Sequence, residues 1–275
     1  MRDEYVTLLT EINRGSYSIN AALDGGANAG YSSVAFARAL PKARIVALEP
    51  HPDNYAMLRQ NALSYSNIVP LQAALWSDSG GPPPMVNVVR GTFDGREWNM
   101  MVSNSNAQQW AIRRVRQKHD NNVAGKHEAT APALSIPLLL RQLCIQRFDL
   151  IKLDIEGAEH TVIPVAAARE GLRIGWLADA SFVYIETHPQ LHLPRKGPDQ
   201  VLESDVVGAL WAHNFTVIAA FARRVFWEHS YVACAGSRMS AEQCKALCLR
   251  WRKNEEMCRV MGKLKPWRRA VNPAP

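Results

Sequence analysis

The 275-residue chain is 47% hydrophobic and 21% charged, which is ordinary for a globular protein and allows one α/β domain with a sizeable core or two small domains. No run approaches the roughly 20 apolar residues that would cross a bilayer, and the first residues lack the apolar segment of a signal peptide, which predicts a cytoplasmic protein by default. The formal net charge of +7 comes entirely from residues 231–275, so the remaining chain is neutral and carries no strong nucleic-acid signal.

The first 75 residues alternate apolar runs with amphipathic segments. Helices are predicted over residues 3–13, 32–40 and 52–63, and strands over residues 19–23, 44–48 and 68–75. The order strand, helix, strand, helix, strand predicts a parallel, doubly wound sheet with right-handed crossovers.

Residues 77–130 interrupt this rhythm, with a turn at 80–84, a strand at 86–89 and a loop at 118–130. Regular elements then return: helices over 136–144 and 158–169, strands over 148–155 and 182–185, and a hairpin formed by 215–221 and 225–227. We therefore predict one domain over residues 1–230, with its motifs within about 18–190, and a basic, cysteine-containing tail over 231–275.

The sequence DGGANAG at residues 24–30 follows the first predicted strand and precedes a helix. Its glycines at 25, 26 and 30 do not have the G-x-G-x-x-G spacing of a dinucleotide site, and no lysine follows Gly30 as it would in a phosphate-binding loop. Gly25 and Gly26 allow a sharp turn after the strand, and Gly30 allows the backbone and the following helix to pack close to a ligand. The loop thus predicts a nucleoside ligand without a pyrophosphate.

Two acids refine this prediction. Asp24 at the end of the first strand would repel a pyrophosphate, but it can attract a ligand with an ammonium and a sulfonium, such as S-adenosylmethionine. Glu49 ends the next strand, where an acid accepts hydrogen bonds from ribose hydroxyls. The alternative for Asp24 is a turn or helix-capping aspartate, and the alternative for Glu49 is an exposed charge at the strand end before Pro50.

These residues, with further segments, resemble the FkbM-type methyltransferases. DGGANAG at 24–30 looks like that family's D-x-G-A-N-x-G loop, and LEPHPDN at 48–54 resembles its second strand and helix. AALWSDSG at 73–80 resembles its third-strand exit. DLIKLDIEGAE at 149–159 is similar to its I-K-x-D-x-E-G-x-E segment, and VYIE at 183–186 fits the following strand.

The resemblance implies an α/β class I methyltransferase, Rossmann-like, with a doubly wound sheet of about seven strands and a final antiparallel hairpin. It implies S-adenosyl-L-methionine as the methyl donor and a hydroxyl of a glycan or small metabolite as the acceptor. Residues 81–130 match no motif of the family, so the acceptor stays open. The cofactor-binding residues implied are Asp24, Gly26, Ala27, Asn28, Gly30, Glu49, Ala74 and Leu75.

An alcohol acceptor must lose a proton, so we expect a base at the carboxyl ends of the later strands. Asp154, Glu156 and His188 are the candidate catalytic residues, with Glu186 nearby in the sequence. Helix N-terminal charge pairing is the alternative role of Glu156, and a loop position that of His188. The four side chains could also hold a divalent ion, but no spacing is diagnostic of a metal, and none is predicted.

Two other functions stay open. One is a non-catalytic nucleotide- or glycan-binding protein that retains the fold. The other is a methyltransferase acting on nucleic acid or protein, although DIEG at 154–157 replaces the N-P-P-Y type of motif used for base amino groups.

The tail contains Cys234, Cys244, Cys248 and Cys258, the middle two spaced i, i+4 on a predicted helix over 240–252. Disulfides among them would indicate a secretory or Golgi-like lumen. Free thiols would indicate a reducing compartment, and zinc is less favoured because no pair has C-x2-C spacing.

Overall fold

The computed structural model describes residues 3–14, 17–78, 83–90, 100–103, 127–164, 170–187, 203–222 and 229–235. The helices are α1 (Asp3–Arg14), α2 (Tyr31–Ala39), α3 (Pro52–Ala62), α4 (Ile136–Gln142), α5 (Glu159–Val162), α6 (Gly175–Ala178) and α7 (Glu203–Ala212). The strands are β1 (Ala21–Gly25), β2 (Arg44–Leu48), β3 (Ile68–Leu71), β4 (Ala74–Leu75), β5 (Met85–Arg90), β6 (Met100–Ser103), β7 (His127–Leu134), β8 (Leu150–Leu153), β9 (Phe182–Thr187), β10 (Phe215–Ala222) and β11 (His229–Ala235).

The main sheet has seven strands in the order β10-β11-β9-β8-β1-β2-β3. The five strands from β9 to β3 pair in parallel, whereas β11 runs antiparallel to both β9 and β10. This confirms the predicted doubly wound sheet of about seven strands with a final antiparallel hairpin. From β1, the strands β2 and β3 follow on one side of the sheet and β8 and β9 on the other. The strand order therefore reverses between β1 and β8, which is the switch point of the sheet.

Two apolar cores cover the two faces of this sheet, as the period-2 alternation of strand side chains requires. Along β1, Ala21 and Leu23 pack in one core and Ala22 in the other. The core that contains Ala22 is closed by α1, α2 and α3, through Ile12, Phe36 and Leu58 among others. The opposite core is closed by α4 to α7.

A second sheet of four strands, β4-β7-β5-β6, is built mostly by residues that the family resemblance does not cover. Its first strand follows β3 after two residues. The N–H of Ala73 donates to the carbonyl of Leu71 (3.1 Å), so the chain turns out of the main sheet at that point. The predicted single strand over 68–75 is therefore wrong: it is split between two sheets.

Other predicted boundaries shift as well. The predicted loop at 118–130 is wrong at its end, since His127–Thr130 belong to β7. The hairpin partner of β10 is β11, which begins after the predicted segment 225–227; that segment lies outside the described residues. The predicted helix over 158–169 is described only as α5, and residues 165–169 are outside the described part.

The last strand within the described residues, β11, crosses residue 230, which is the predicted end of the main domain, so the sheet continues to Ala235. The division into a domain and a tail stays a prediction, because residues 236–275 lie outside the described part. The same holds for the predicted tail helix and for Cys244, Cys248 and Cys258. Among the described helices, none has the length and apolar character that crossing a membrane requires.

Candidate functional site

A row of charged residues marks the carboxyl end of the main sheet at its switch point. Along β1, β2, β8 and β9, the side chains that face the α1–α3 core are apolar in the first part of each strand. The next positions on that face are occupied by ionisable residues: Asp24, Glu49, Lys152, Asp154 and Glu186. Ligands of open α/β sheets bind at this edge, so the row defines the candidate site.

The loop after β1 has a conformation that depends on its glycines. Gly26, Asn28 and Gly30 all have positive φ, at 74°, 51° and 88°. A Cβ on Gly26 would lie 1.8 Å from the carbonyl oxygen of Asp154, so no side chain fits there. The backbone N–H groups of Gly26 and Ala27 both donate to the carbonyl of Leu48, which fixes the turn against β2.

Glu49 is buried directly beside this loop. Its Oε2 accepts a hydrogen bond from the backbone N–H of Asn28 and its Oε1 one from the N–H of His51, each at 2.9 Å. Burial raises the pKa of Glu49, although these hydrogen bonds, the one from Asn54 and the charge of Lys152 act in the opposite direction. The alternative of an exposed strand-end glutamate is wrong, since Glu49 is only 4% exposed.

Asp24 is fully buried beneath the loop. Its Oδ2 accepts hydrogen bonds from the hydroxyls of Ser32 (2.7 Å) and Ser33 (2.5 Å) at the start of α2, and its Oδ1 lies 3.0 Å from Nζ of Lys152. The carboxylate therefore anchors the loop to α2 and to β8. Direct contact between Asp24 and a cationic ligand stays a prediction.

Lys152 is a site residue that was not predicted from the sequence. Its ammonium group is buried and lies between Asp24, at 3.0 Å, and Asp154, at 3.7 Å. Burial acts to lower the pKa of Lys152, but the charges of Asp24, Asp154 and Glu186 outweigh it, so the pKa is raised and the side chain is cationic. A lysine within the apolar run FDLIKLDI at 148–155 is the signal that could have identified it.

The turn after β8 brings Asp154 and Glu156 to the same edge. The N–H of Asp154 donates to the carbonyl of Gly25 (3.2 Å), and the Asp154 carboxylate is 18% exposed. Glu156 and Gly157 both have positive φ, 53° and 96°, and such a conformation is unusual for a glutamate. The catalytic assignment of Asp154 and Glu156 stays a prediction.

Glu159 stabilises this turn from within. Its Oε1 accepts hydrogen bonds from the N–H groups of Ile155 (3.2 Å) and Gly157 (3.3 Å). The neighbouring His160 is largely buried, and burial lowers its pKa more than the charge of Glu159 and the hydrogen bond with the Gly157 backbone raise it. These two residues therefore support the turn that carries Asp154 and Glu156.

The remaining predicted site residues divide into two groups. Ala27, Ala74 and Leu75 are buried, and Leu75 packs below the loop, where its Cδ2 would lie 3.1 Å from a Cβ on Gly25. His188 lies outside the described residues, so its assignment stays a prediction. Within the described ranges, no three Asp, Glu, His or Cys side chains form a group suited to a metal ion.

A curated relative, methyltransferase sdnD of Sordaria araneosa, is 28% identical over 153 residues, which cover 51% of this chain and 58% of that protein. The chain thus spans less than two thirds of that relative's length.

Two solved structures are similar to this chain over most of its length. The N-terminal domain of EvdMO1 with SAH bound has a TM-score of 0.43 at 12% identity, and the match covers 86% of this chain and 82% of that one. Fibrillarin of Aeropyrum pernix in complex with S-adenosyl-L-methionine has a TM-score of 0.39 at 13% identity, covering 83% of this chain and 75% of that one.

The family model described as the methyltransferase FkbM domain matches residues 24–215, from the charged end of β1 to the start of β10. This range is more than half of the chain and contains the whole candidate site. The chain therefore belongs to the FkbM methyltransferases, which use S-adenosylmethionine and have a Rossmann-like α/β fold.

Proposed function

We propose that this methyltransferase acts on a hydroxyl group of a glycan or a small metabolite, and that Asp154 and Glu156 face the acceptor. The position of Asp154 carries this proposal. Its backbone is hydrogen-bonded at Gly25 to the loop over residues 24–30, which we call the donor loop, while its side chain stays partly exposed at the edge of the sheet. A group in this position is next to the donor and accessible to an incoming acceptor.

The residues around the loop fit S-adenosylmethionine. Each oxygen of Glu49 accepts one backbone N–H, and a carboxylate has further lone pairs that can accept ribose hydroxyls. Four carboxylates and one lysine occupy the charged row, so this edge of the sheet is negative and favours a ligand that carries positive charge. When bound, the donor supplies a methyl group on a positively charged sulfur.

In this proposal Asp24 acts through the loop, because its oxygens already contact Ser32, Ser33 and Lys152. Gly26, Ala27, Asn28 and Gly30 shape the surface against which the donor lies. Ala74 and Leu75 form the apolar floor below it.

The protein residues contribute alignment and proton removal. Holding two reactants in the reacting geometry contributes about 7–11 kcal/mol. A carboxylate that accepts the hydroxyl proton contributes about 10²–10⁴-fold in rate. Asp154 is assigned this second role, and Glu156 orients the acceptor from the neighbouring turn.

The charge of the rim argues against a nucleic-acid acceptor. Asp154, Glu156 and Glu186 all belong to the turn and strand ends at this edge, and carboxylates repel a phosphate backbone. A neutral acceptor such as a sugar or a hydroxylated metabolite meets no such repulsion. Methylation of a protein and a purely binding function are outcomes of the experiment below.

The test is methyl transfer from labelled S-adenosylmethionine to a panel of hydroxylated sugars and metabolites, with RNA and protein substrates in parallel. Mass spectrometry and NMR of the product identify the atom that gains the methyl group. Asp154→Asn is expected to lower turnover about 100-fold or more while S-adenosylhomocysteine still binds. Asp179→Asn is the matched control, since Asp179 is an exposed carboxylate paired with Arg173 (2.9 Å).

Methylation of RNA or protein alone would overturn the acceptor assignment. Donor binding without transfer to any substrate would favour the binding function. Unchanged turnover in Asp154→Asn would remove Asp154 as the base.

A further inference from the structure

Lys152 makes three short contacts with three successive residues of the chain. Its Nζ lies 3.0 Å from Oδ1 of Asp24, 3.3 Å from the carbonyl oxygen of Gly25 and 2.9 Å from that of Gly26. The two contacts with carbonyl oxygens are hydrogen bonds, and the contact with Asp24 is an ion pair. All these acceptors lie where β1 ends and the donor loop begins.

The left-handed conformation of Gly26 explains why a buried cation is needed. The N–H groups of Gly26 and Ala27 point towards Leu48 of β2, and the carbonyls of Gly25 and Gly26 point towards β8. Buried carbonyl groups need donors, because a buried polar group without a hydrogen-bond partner is destabilising. β8 provides the donor for Gly26 through a side chain, since Lys152 is the register partner of Asp24, whereas the carbonyl of Gly25 also accepts the N–H of Asp154.

The same ammonium group reaches the acceptor side. Its distance to Oδ2 of Asp154 is 3.7 Å, and Asp154 is the partly exposed carboxylate to which we assign proton removal. One side chain thus contacts both the base of the donor loop and the residue facing the acceptor.

We propose that Lys152 is a positioning residue that holds the donor loop and Asp154 in register across the switch point. This inference rests on the function proposed above and adds to it a residue that touches neither donor nor acceptor. The loop is expected to lose its binding geometry without Lys152, even where the fold is kept. A residue needed only to neutralise Asp24 would not have this effect.

Two variants separate these roles. Lys152→Met leaves the fully buried Asp24 without its cation. Breaking a buried pair in this way is strongly destabilising, so this variant is expected to unfold at a lower temperature than the wild type. Asp24→Asn with Lys152→Met removes both charges and retains similar volumes. We expect the double variant to recover most of the thermal stability but to bind S-adenosylhomocysteine about tenfold or more weakly than the wild type.

Calorimetric titration with S-adenosylhomocysteine and amide hydrogen exchange at residues 25–30 provide the two readouts. Exchange at Gly26 and Ala27 is expected to accelerate in the double variant, while strand amides such as those of Ile45 and Val46 keep their protection. Lys42→Met is the matched control, because Lys42 is an exposed lysine and its loss should change neither readout.

A folded double variant with wild-type affinity and wild-type exchange would overturn the proposal, and Lys152 would then be only a charge partner. Failure of the wild-type protein to bind S-adenosylhomocysteine would instead count against the donor site itself. The two failures are therefore distinguishable.

NMR of the lysine ammonium groups in the unmodified protein covers the case in which the double variant does not fold. The Nζ signal of Lys152 is expected to show slow proton exchange and to shift when S-adenosylhomocysteine binds. Shifts of the loop amides without any shift of the Lys152 signal would contradict the positioning role.

Discussion

Oε2 of Glu49 accepts a hydrogen bond from the backbone N–H of Asn28, with 2.9 Å between the two atoms. This bond joins the end of β2 to the middle of the donor loop, where Asn28 has a positive φ of 51°. The other oxygen of Glu49 accepts a hydrogen bond from the backbone N–H of His51, which occupies the N-cap position of α3. A single buried carboxylate thus fixes the loop relative to the next strand and helix.

Replacement of Glu49 by glutamine tests this arrangement. The amide of Gln has only one oxygen, so its NH2 group must face the N–H of either Asn28 or His51. We expect Glu49→Gln to weaken S-adenosylhomocysteine binding about tenfold or more, measured by calorimetry. Asp53→Asn, at an exposed acid in the first turn of α3, is the control and should retain wild-type affinity. Equal affinity of the wild type and Glu49→Gln would contradict this role of the carboxylate.

The raised pKa of Glu49 predicts how donor binding depends on pH. Because burial makes its folded-state pKa higher than its unfolded value of 4.5, Glu49 takes up a proton at a higher pH than an ordinary glutamate. Protonation removes acceptor capacity, so S-adenosylhomocysteine affinity should fall as the pH is lowered through this folded-state pKa. The folded protein disfavours the charged form of Glu49 relative to the unfolded chain. The contribution of Glu49 to the free energy of unfolding is therefore unfavourable above the folded-state pKa. Affinity that stays constant on acidification to pH 4.5 would contradict the assignment.

Gly26→Ala should abolish donor binding. The new Cβ would lie 1.8 Å from the carbonyl oxygen of Asp154, and alanine disfavours the positive φ of this position by about 1–2 kcal/mol. The loop must therefore move away from the turn after β8. Gly175→Ala is the matched control: the nearest atom to its Cβ is Nη1 of Arg173 at 3.8 Å, and Gly175 begins α6. Calorimetry and thermal unfolding of both variants distinguish the loop effect from a general cost of alanine.

Glu156→Gly should separate stability from activity. Glycine adopts the observed φ of 53° without the steric cost that a glutamate incurs, which is about 1–2 kcal/mol. Its greater freedom in the unfolded state offsets part of this gain, about 0.4–1 kcal/mol. We therefore expect unchanged or slightly increased stability in denaturant titrations, together with reduced turnover. Full activity of Glu156→Gly would show that the side chain is not used at the acceptor side.

His160 predicts sensitivity to acid. Burial lowers its pKa below 6.5 in the folded protein, so the unfolded chain binds the proton more readily as the pH falls below 6.5. The contribution of neutral His160 to the free energy of unfolding is therefore fully present above pH 6.5. It is lost as the pH falls towards the lowered pKa of the folded state. His160→Gln should reduce the difference in unfolding free energy between pH 7.5 and pH 5. An unchanged difference would assign the acid sensitivity to other groups.

The doubly wound sheet and the donor loop could both be predicted from local patterns in the sequence. Alternating apolar segments of strand and helix length leave few topologies, and the glycine spacing at 25, 26 and 30, followed by Tyr31 rather than lysine, excludes the phosphate-binding loops. These signals are local in the chain, so they are readable without coordinates. The second sheet was not predicted, because β4 pairs with β7 across more than fifty residues and this long-range pairing leaves no local pattern.

The arrangement of the charged side chains depends on the pairing of strands that are distant in the sequence. Asp24 looks like a ligand for a cation when β1 is considered alone, because no neighbour in sequence neutralises it. Its partner Lys152 is 128 residues away and reaches it only because β8 pairs with β1 in the register that sets the two side by side. The same pairing brings Asp154 against Gly25 and Gly26. Burial in a low dielectric then makes Asp24 and Lys152 a coupled pair, a property that neither strand has on its own.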